Sequence, residues 1–210
     1  MSPFRDNLAR DGVSEVLEVR GPVGIMAFHG GALERVTDVI AAEAARMTES
    51  SYYAVLHPDD SLHVPSKFVD PAHSAKLAAF VDHVDVAIAI HGYGPGPDHR
   101  FRVLLGGTNR AFATHIGAHL APALPKYEIV TDLAAIPREL AGQHRDNPIN
   151  RVKETGVQIE VPAALRWHFD HRQWSDTPGV GRAPHVDAFI AALCRAIDGW
   201  PGRPARNVSA

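Results

Sequence analysis

Three segments of the chain place an ionisable side chain where an apolar run stops. Val23 to Phe28 runs into His29-Gly30-Gly31, Val84 to Ile90 into His91-Gly92, and Gly156 to Ile159 into Glu160. Histidine ligates metals and exchanges protons near neutral pH. A glycine after it lets the chain turn sharply and leaves room beside a ligand. Glu34 follows His29 across the Gly-Gly turn and a first helical turn, a spacing that can swing its carboxylate back over the strand end. Two imidazoles and one carboxylate are the usual ligands of a catalytic zinc, with a fourth position left for water. His29, Glu34 and His91 are therefore the candidate metal set. The same residues admit a plainer structural account: strand-end His-Gly occurs in ordinary turns, and a glutamate in a first helical turn favours the helix dipole.

Other residues compete for attention, because the chain holds 13 histidines. His115 and His119 stand four apart on an expected helix, but no glutamate lies between them as in a metalloprotease helix; a solvent-facing helix accounts for them better. His168 and His171 flank Phe169-Asp170 in an irregular stretch that suits a surface. A second constellation is Asn147-Pro148-Ile149-Asn150-Arg151, just before the run that reaches Glu160. Arginine presents a planar fork that matches a carboxylate, and an adjacent asparagine can add a hydrogen bond. The alternative is a loop cap with a surface salt bridge.

These residues need a frame to bring them together. Glu15–Arg20, Ser51–Leu56, Phe101–Leu105 and Tyr127–Thr131 join the three runs above as expected strands. Between them the period changes to that of an amphipathic helix: from Ala32, with Leu33, Val36, Val39, Ile40 and Met47 on one face; from Asp70 through Leu77 and Phe80; from a Thr108 cap to about Leu120; and over His185–Asp198. Such alternation predicts a single α/β domain over residues 15–199, a central mixed and largely parallel sheet flanked by helices. Residues 1–14 read as a loose lead-in and 200–210 as a tail. In open α/β sheets the site lies beyond the carboxyl ends of the strands, where His29, His91 and Glu160 fall. Residues 167–184 lack a clear period and are long enough for a functional loop or lid.

Composition narrows the function classes. At 210 residues, 45% hydrophobic and 21% charged, the chain is long and apolar enough for one full core. The formal net charge of -3 supplies no basic surplus to attract nucleic acid or anionic lipid. One cysteine, Cys194, excludes an intrachain disulfide and a cysteine-based zinc finger. No apolar run approaches a membrane span, and the first residues lack a signal pattern. A cytoplasmic protein is the expectation, with release by lysis the alternative; the oligomeric state stays open.

In order, the segments His29-Gly30-Gly31-Ala32-Leu33-Glu34 with Thr37, His91-Gly92, Gly106-Gly107, Asn147-Pro148-x-Asn150-Arg151 and Gly156-Val157-Gln158-Ile159-Glu160 resemble the poly-γ-glutamate hydrolase family of bacteria and phages. The resemblance spans about residues 20–200. That family is similar to zinc carboxypeptidases and to aspartoacylase-type amidohydrolases. The resemblance implies a zinc carboxypeptidase-like fold with one zinc per chain on His29, Glu34 and His91. It implies Asn150 and Arg151, beside Asn147, as the carboxylate-binding group, and Glu160 as the general base. The four residues between His29 and Glu34 favour the polyglutamate branch over carboxypeptidases proper. Tyr93 departs from the small residue expected there, and Leu62-His63-Val64-Pro65-Ser66 fits the family's Leu-His-x-x-Ser loosely. The implied reaction is attack of a zinc-activated water on an amide of an anionic glutamate polymer, with Arg110 or Arg151 beside the oxyanion. The alternatives are an amidase on small N-acyl amino acids and a metal- or anion-binding module without turnover.

Overall fold

The computed structural model describes residues 2–59, 62–94 and 99–202. Seven strands form one mixed sheet: β1 (Ser14–Glu18), β2 (Gly21–Gly31), β3 (Ser50–His57), β4 (Val86–Tyr93), β5 (Arg102–Leu105), β6 (Glu128–Val130) and β7 (Gly156–Pro162). Their order is β1-β3-β2-β4-β7-β5-β6. The four inner strands β3, β2, β4 and β7 run parallel, β1 is antiparallel to β3, and β5 with its parallel neighbour β6 runs opposite to β7. Strands buried on both faces read as continuous aliphatic runs. Val86-Ala87-Ile88-Ala89-Ile90, fully buried in β4, is such a run.

Alternation along the strands splits the core in two. Ile25, Ile88, Ile90, Val157 and Ile159 face the helices α2 (Thr37–Thr48), α4 (Arg110–Ala123) and α6 (Pro184–Asp198). Met26, Phe28, Ala87 and Ala89 face α3 (Ala75–His83), the short α1 (Pro3–Leu8) and the turn at Ile149. His91 follows Ala87 and Ala89 in parity, so it emerges on this second face, where Gln158 and Glu160 of β7 also point.

Several boundaries differ from expectation for identifiable reasons. The first residues are not a loose lead-in: the Ser2 hydroxyl caps α1, and Phe4 is buried in the second core. Trp200 is not a loose tail residue either, since its ring lies 4.6 Å from that of Phe112; residues 203–210 lie outside the described segments. Asn109 rather than Thr108 caps α4, its side-chain oxygen accepting from Phe112 N at 3.0 Å. Ser74 caps α3 after a separate turn at Pro71–His73. The run that begins at Val84 extends past Ile90, because β4 continues through Tyr93; positions 95–98 lie outside the described residues. The stretch 167–184 follows the short helix α5 (Ala163–Arg166) and opens with a two-stranded hairpin, β8 (Trp167–His168) against β9 (Gln173–Trp174).

The most consequential difference is the start of α2. The helix begins at Thr37, not Ala32, and residues 32–36 form a looped turn. Gly31 enters it at φ 72°, where an added Cβ would lie 2.4 Å from the His57 carbonyl oxygen. Val36 leaves it at φ 77°, fully buried. A β-branched residue in this region is a true outlier, and such strain costs about 1–3 kcal/mol and collects at functional sites. Two contacts hold the turn: Thr37 Oγ1 donates to the Glu34 carbonyl at 2.7 Å, and Glu34 N donates to the His29 carbonyl at 2.8 Å. The product is a carboxylate folded back over the end of β2. Gly31→Ala is expected to destabilise the protein by about 2–4 kcal/mol, read from urea unfolding. A change within about 0.5 kcal/mol would show that this turn is not strained against β3.

Candidate metal centre and cleft

β2, β4 and β7 deliver His29, His91 and Glu160 at their carboxyl ends, and the Gly31–Val36 turn delivers Glu34. His91 and Glu160 are directly paired across neighbouring parallel strands. All four side chains are buried. Glu34 Oε1 lies 2.8 Å from His29 Nδ1, and Oε2 lies 3.4 Å from His91 Nδ1. Gly92 N donates to Glu34 Oε2 at 2.8 Å. One ligand atom from each of His29, Glu34 and His91 lies within 4.8 Å of the others.

The hydrogen bonds around this trio suit a cation. A carbonyl oxygen can only accept, so the 2.8 Å contact from His29 Nε2 to the Val64 carbonyl places the proton on Nε2. That donation is the second-shell arrangement that orients a metal-ligating histidine, and it leaves Nδ1 facing Glu34. His91 Nε2 is buried without a partner. Burial opposes ionisation of Glu34, but the imidazoles of His29 and His91 outweigh it and hold the carboxyl well below its usual range. Burial likewise opposes a charged His91, and the Glu34 carboxylate reverses that and pushes its pKa up. Two histidines and a carboxylate kept ionised form a donor set that fits one divalent ion.

Glu160 sits in a different environment. Burial pushes its carboxyl up to about 7, with the Glu34 charge adding to the rise and His91 opposing it. Gln158 Nε2 donates to Glu160 Oε1 at 2.8 Å, and Asn147 Nδ2 donates to Gln158 Oε1 at 2.8 Å. The relay Asn147–Gln158–Glu160 therefore fixes the orientation of the carboxylate. Two neighbouring carboxylates whose environments drive their pKa values apart are a recurrent mark of a site that divides binding from proton transfer.

A cleft of about 820 Å³ opens onto these groups. Beyond His29, Glu34, His91 and Glu160 it is walled by Lys67, Tyr93, Arg138, His144 and Asn147. The exposed His63 stands at its edge, its ring 4.2 Å from that of His29 and its Nε2 3.6 Å from Glu34 Oε1. The remaining sequence-derived residues fall elsewhere. Arg110 does not line the cleft: its guanidinium donates to the Leu105, Gly107 and Thr131 carbonyls, tying α4 to the end of β5. Arg151 does not line it either and is ion-paired with Asp70 at 2.8 Å. Asn150 accepts from Thr108 Oγ1 at 2.7 Å and donates to the Gly142 and His144 carbonyls, so it holds the 142–144 rim rather than facing the cleft. Asn147 does line the cleft, but its amide is engaged with Gln158.

Other participants, Lys67 among them, were not singled out by spacing. His63 and Arg138 lie on loops without a local pattern. Arg166, buried, donates to the Arg35, Val161 and Tyr93 carbonyls and packs so closely on Gly92 that a Cβ there would lie 2.6 Å from its Cζ. Gly92 is thus required beside the N–H that binds Glu34. Nothing in the sequence near residue 166 signals that contact across 74 positions.

The fold is one that several solved structures share. A candidate carboxypeptidase of Burkholderia mallei ATCC 23344 shares the fold at TM-score 0.53 and 11% identity, covering 93% of this chain and 65% of that one. A bacteriophage poly-gamma-glutamate hydrolase superposes with TM-score 0.75 at 20% identity over 91% of each chain. A zinc-free structure of YndL gives TM-score 0.71 at 20% identity, over 92% of this chain and 94% of that one. In sequence, YndL of Bacillus subtilis (strain 168) is 27% identical over 146 residues, 69% of this chain and 54% of that protein. The chain thus spans about half the length of the curated relative it matches. The model of the poly-gamma-glutamate hydrolase family matches residues 9–192, and the chain belongs to that family.

Proposed function

We propose that the protein is a zinc-dependent amidohydrolase that cleaves amide bonds of poly-γ-glutamate. The observation that carries this reading is the buried pairing of Glu160 with a His29–Glu34–His91 donor set at the floor of a cleft rimmed by cations. His29, Glu34 and His91 would hold the zinc. When bound, zinc supplies Lewis-acid polarisation of a scissile carbonyl and brings the pKa of water to about 7. Glu160 takes a proton from the attacking water and returns it to the leaving amine nitrogen, the two halves of general acid–base work by one carboxyl. Gln158, anchored by Asn147, keeps that carboxylate aimed. Tyr93 closes one wall, its hydroxyl donating to the Arg102 carbonyl at 2.7 Å.

A γ-linked glutamate chain carries one free carboxylate per residue, so its recognition calls for cations along the cleft. With Arg110 and Arg151 engaged elsewhere, Lys67 and Arg138, which both line the cleft, take that role, and Asn150 supports the rim. Lys67→Met and Arg138→Met are each expected to raise KM for poly-γ-glutamate roughly threefold to tenfold with kcat changed less than about twofold, the scale of one exposed charge pair. Unchanged KM in both would remove them from substrate binding.

The reading is tested by new amino groups released from poly-γ-glutamate, compared with neutral and anionic N-acyl amino acids of single-residue length. Release from the polymer alone supports it. Release from the small amides alone gives the N-acyl amino acid amidase, and retained zinc with no release from either gives a binding module.

A further inference from the structure

A second cavity, of about 560 Å³, shares no lining residue with the metal cleft. It lies between the end of α4, the chain entering β5 and β6, the β8–β9 hairpin and the first turn of α6. Phe101, Tyr127 and Phe169 wall it, and Lys126, His168 and His185 line it. Phe101 and Phe169 are 43% and 45% exposed, two of the few large apolar side chains left open to water among the described residues. Exposed apolar surface gathered around a concavity marks a binding site more often than a scattered surface residue does.

Its polar side is equally distinctive. His168 is buried, yet its Nδ1 has no hydrogen-bond partner among the described residues. A buried, unpaired polar nitrogen normally costs about 1–3 kcal/mol and calls for a partner. The N-terminus of the 15-residue helix α6 reaches the same cavity through Ala183, Pro184 and His185; the Ala183 N–H donates to Ser175 Oγ at 3.3 Å, and Pro184 has no N–H. The dipole of a helix N-terminus favours negative charge. Lys126 adds a full positive charge, and Arg100 stands over the Phe101 ring at 5.4 Å. Opposing them are the Asp170 carboxylate on the hairpin tip and Asp187 in the first turn of α6, the latter ion-paired with Arg182 at 2.6 Å.

We propose that this cavity binds a small organic carboxylate with a flat apolar body. The body lies between Phe101 and Phe169; the carboxylate meets Lys126, His168 Nδ1 and the start of α6. The site is independent of the metal centre and of the hydrolase reading. The hairpin that carries His168 and Phe169 continues directly from Arg166, which packs on Gly92 beside Glu34, so an occupant touches the element that backs the metal cleft.

Phenylacetate is a suitable probe, with phenylacetamide as its uncharged counterpart. The Trp167–Trp174 pair, rings 5.3 Å apart on the hairpin, supplies the fluorescence signal. Saturable binding of phenylacetate at millimolar concentration is expected, at least about tenfold weaker for phenylacetamide and weakened about tenfold in Lys126→Gln. Lys126 and Phe101 are surface residues, so Lys126→Gln and Phe101→Ser should fold normally, and both should weaken binding. No saturable binding to the wild-type protein overturns the proposal, and so does equal binding of the amide. Binding that weakens in Arg138→Met but not in Lys126→Gln belongs to the metal cleft and overturns it as well.

Discussion

Glu160→Gln is expected to lower hydrolysis by about 10²–10⁴-fold, the contribution of a positioned proton-transfer group, while zinc stays bound at one per chain. The substitution keeps the shape of the side chain and an oxygen able to accept from Gln158 Nε2. It removes only the capacity to take a proton from water. The same change has a second consequence in the metal-free protein. Because burial raises Glu160 to about 7 in the folded state, above its value in the unfolded chain, the folded protein holds this proton more tightly. The associated stability is fully present below the unfolded pKa and is lost as pH rises through 7. Metal-free Glu160→Gln should therefore unfold at the same or a higher temperature than metal-free wild type at pH 8. Zinc loss in this variant would mean that Glu160 is a ligand and that one of the three assigned ligands is not.

The second large effect is expected in His91→Ala. Its Nδ1 faces Glu34 at 3.4 Å, and among the described residues its Nε2 has no hydrogen-bond partner. Zinc affinity should fall by at least about 10²-fold and hydrolysis should vanish with it. Unfolding provides a readout free of activity. A ligand at 100 times its dissociation constant stabilises the folded state by about 2.7 kcal/mol, so added zinc should raise the melting temperature of the wild type and leave that of His91→Ala unchanged. A variant that still gains stability from one equivalent of zinc would remove His91 from the ligand set.

Much of this site could be read in the sequence because its parts are local to strand ends. His29, His91 and Glu160 each close an aliphatic run, and parallel strands bring such ends together whatever the loops do. Glu34 was also legible, since Gly30-Gly31 allows a tight return, although the return is a strained five-residue turn and not the first turn of a helix. What was not legible depends on contacts far apart in the chain. The carboxylate-binding arginine suggested by Asn150-Arg151 is turned to Asp70, 81 positions earlier. Arg110 is absorbed by three backbone carbonyls, two of them close in sequence (Leu105 and Gly107) and one, Thr131, 21 positions away. Lys67 and Arg138 reach the cleft from loops with no periodicity, and an exposed lysine or arginine in a loop carries no mark of what it will face. The fold class followed from alternation of strand and helix; the antiparallel placement of β1, β5 and β6 at the sheet edges did not, because short edge strands look alike in either direction.

The central claim is that one zinc, held by His29, Glu34 and His91, drives amide hydrolysis beside Glu160. It is tested most directly by stripping the protein with a chelator, adding zinc back in steps, and measuring amino groups released from poly-γ-glutamate at each step. The account predicts no release from stripped protein and a linear return that stops at one zinc per chain. Release that persists without metal, or a protein that takes up no zinc, would contradict it.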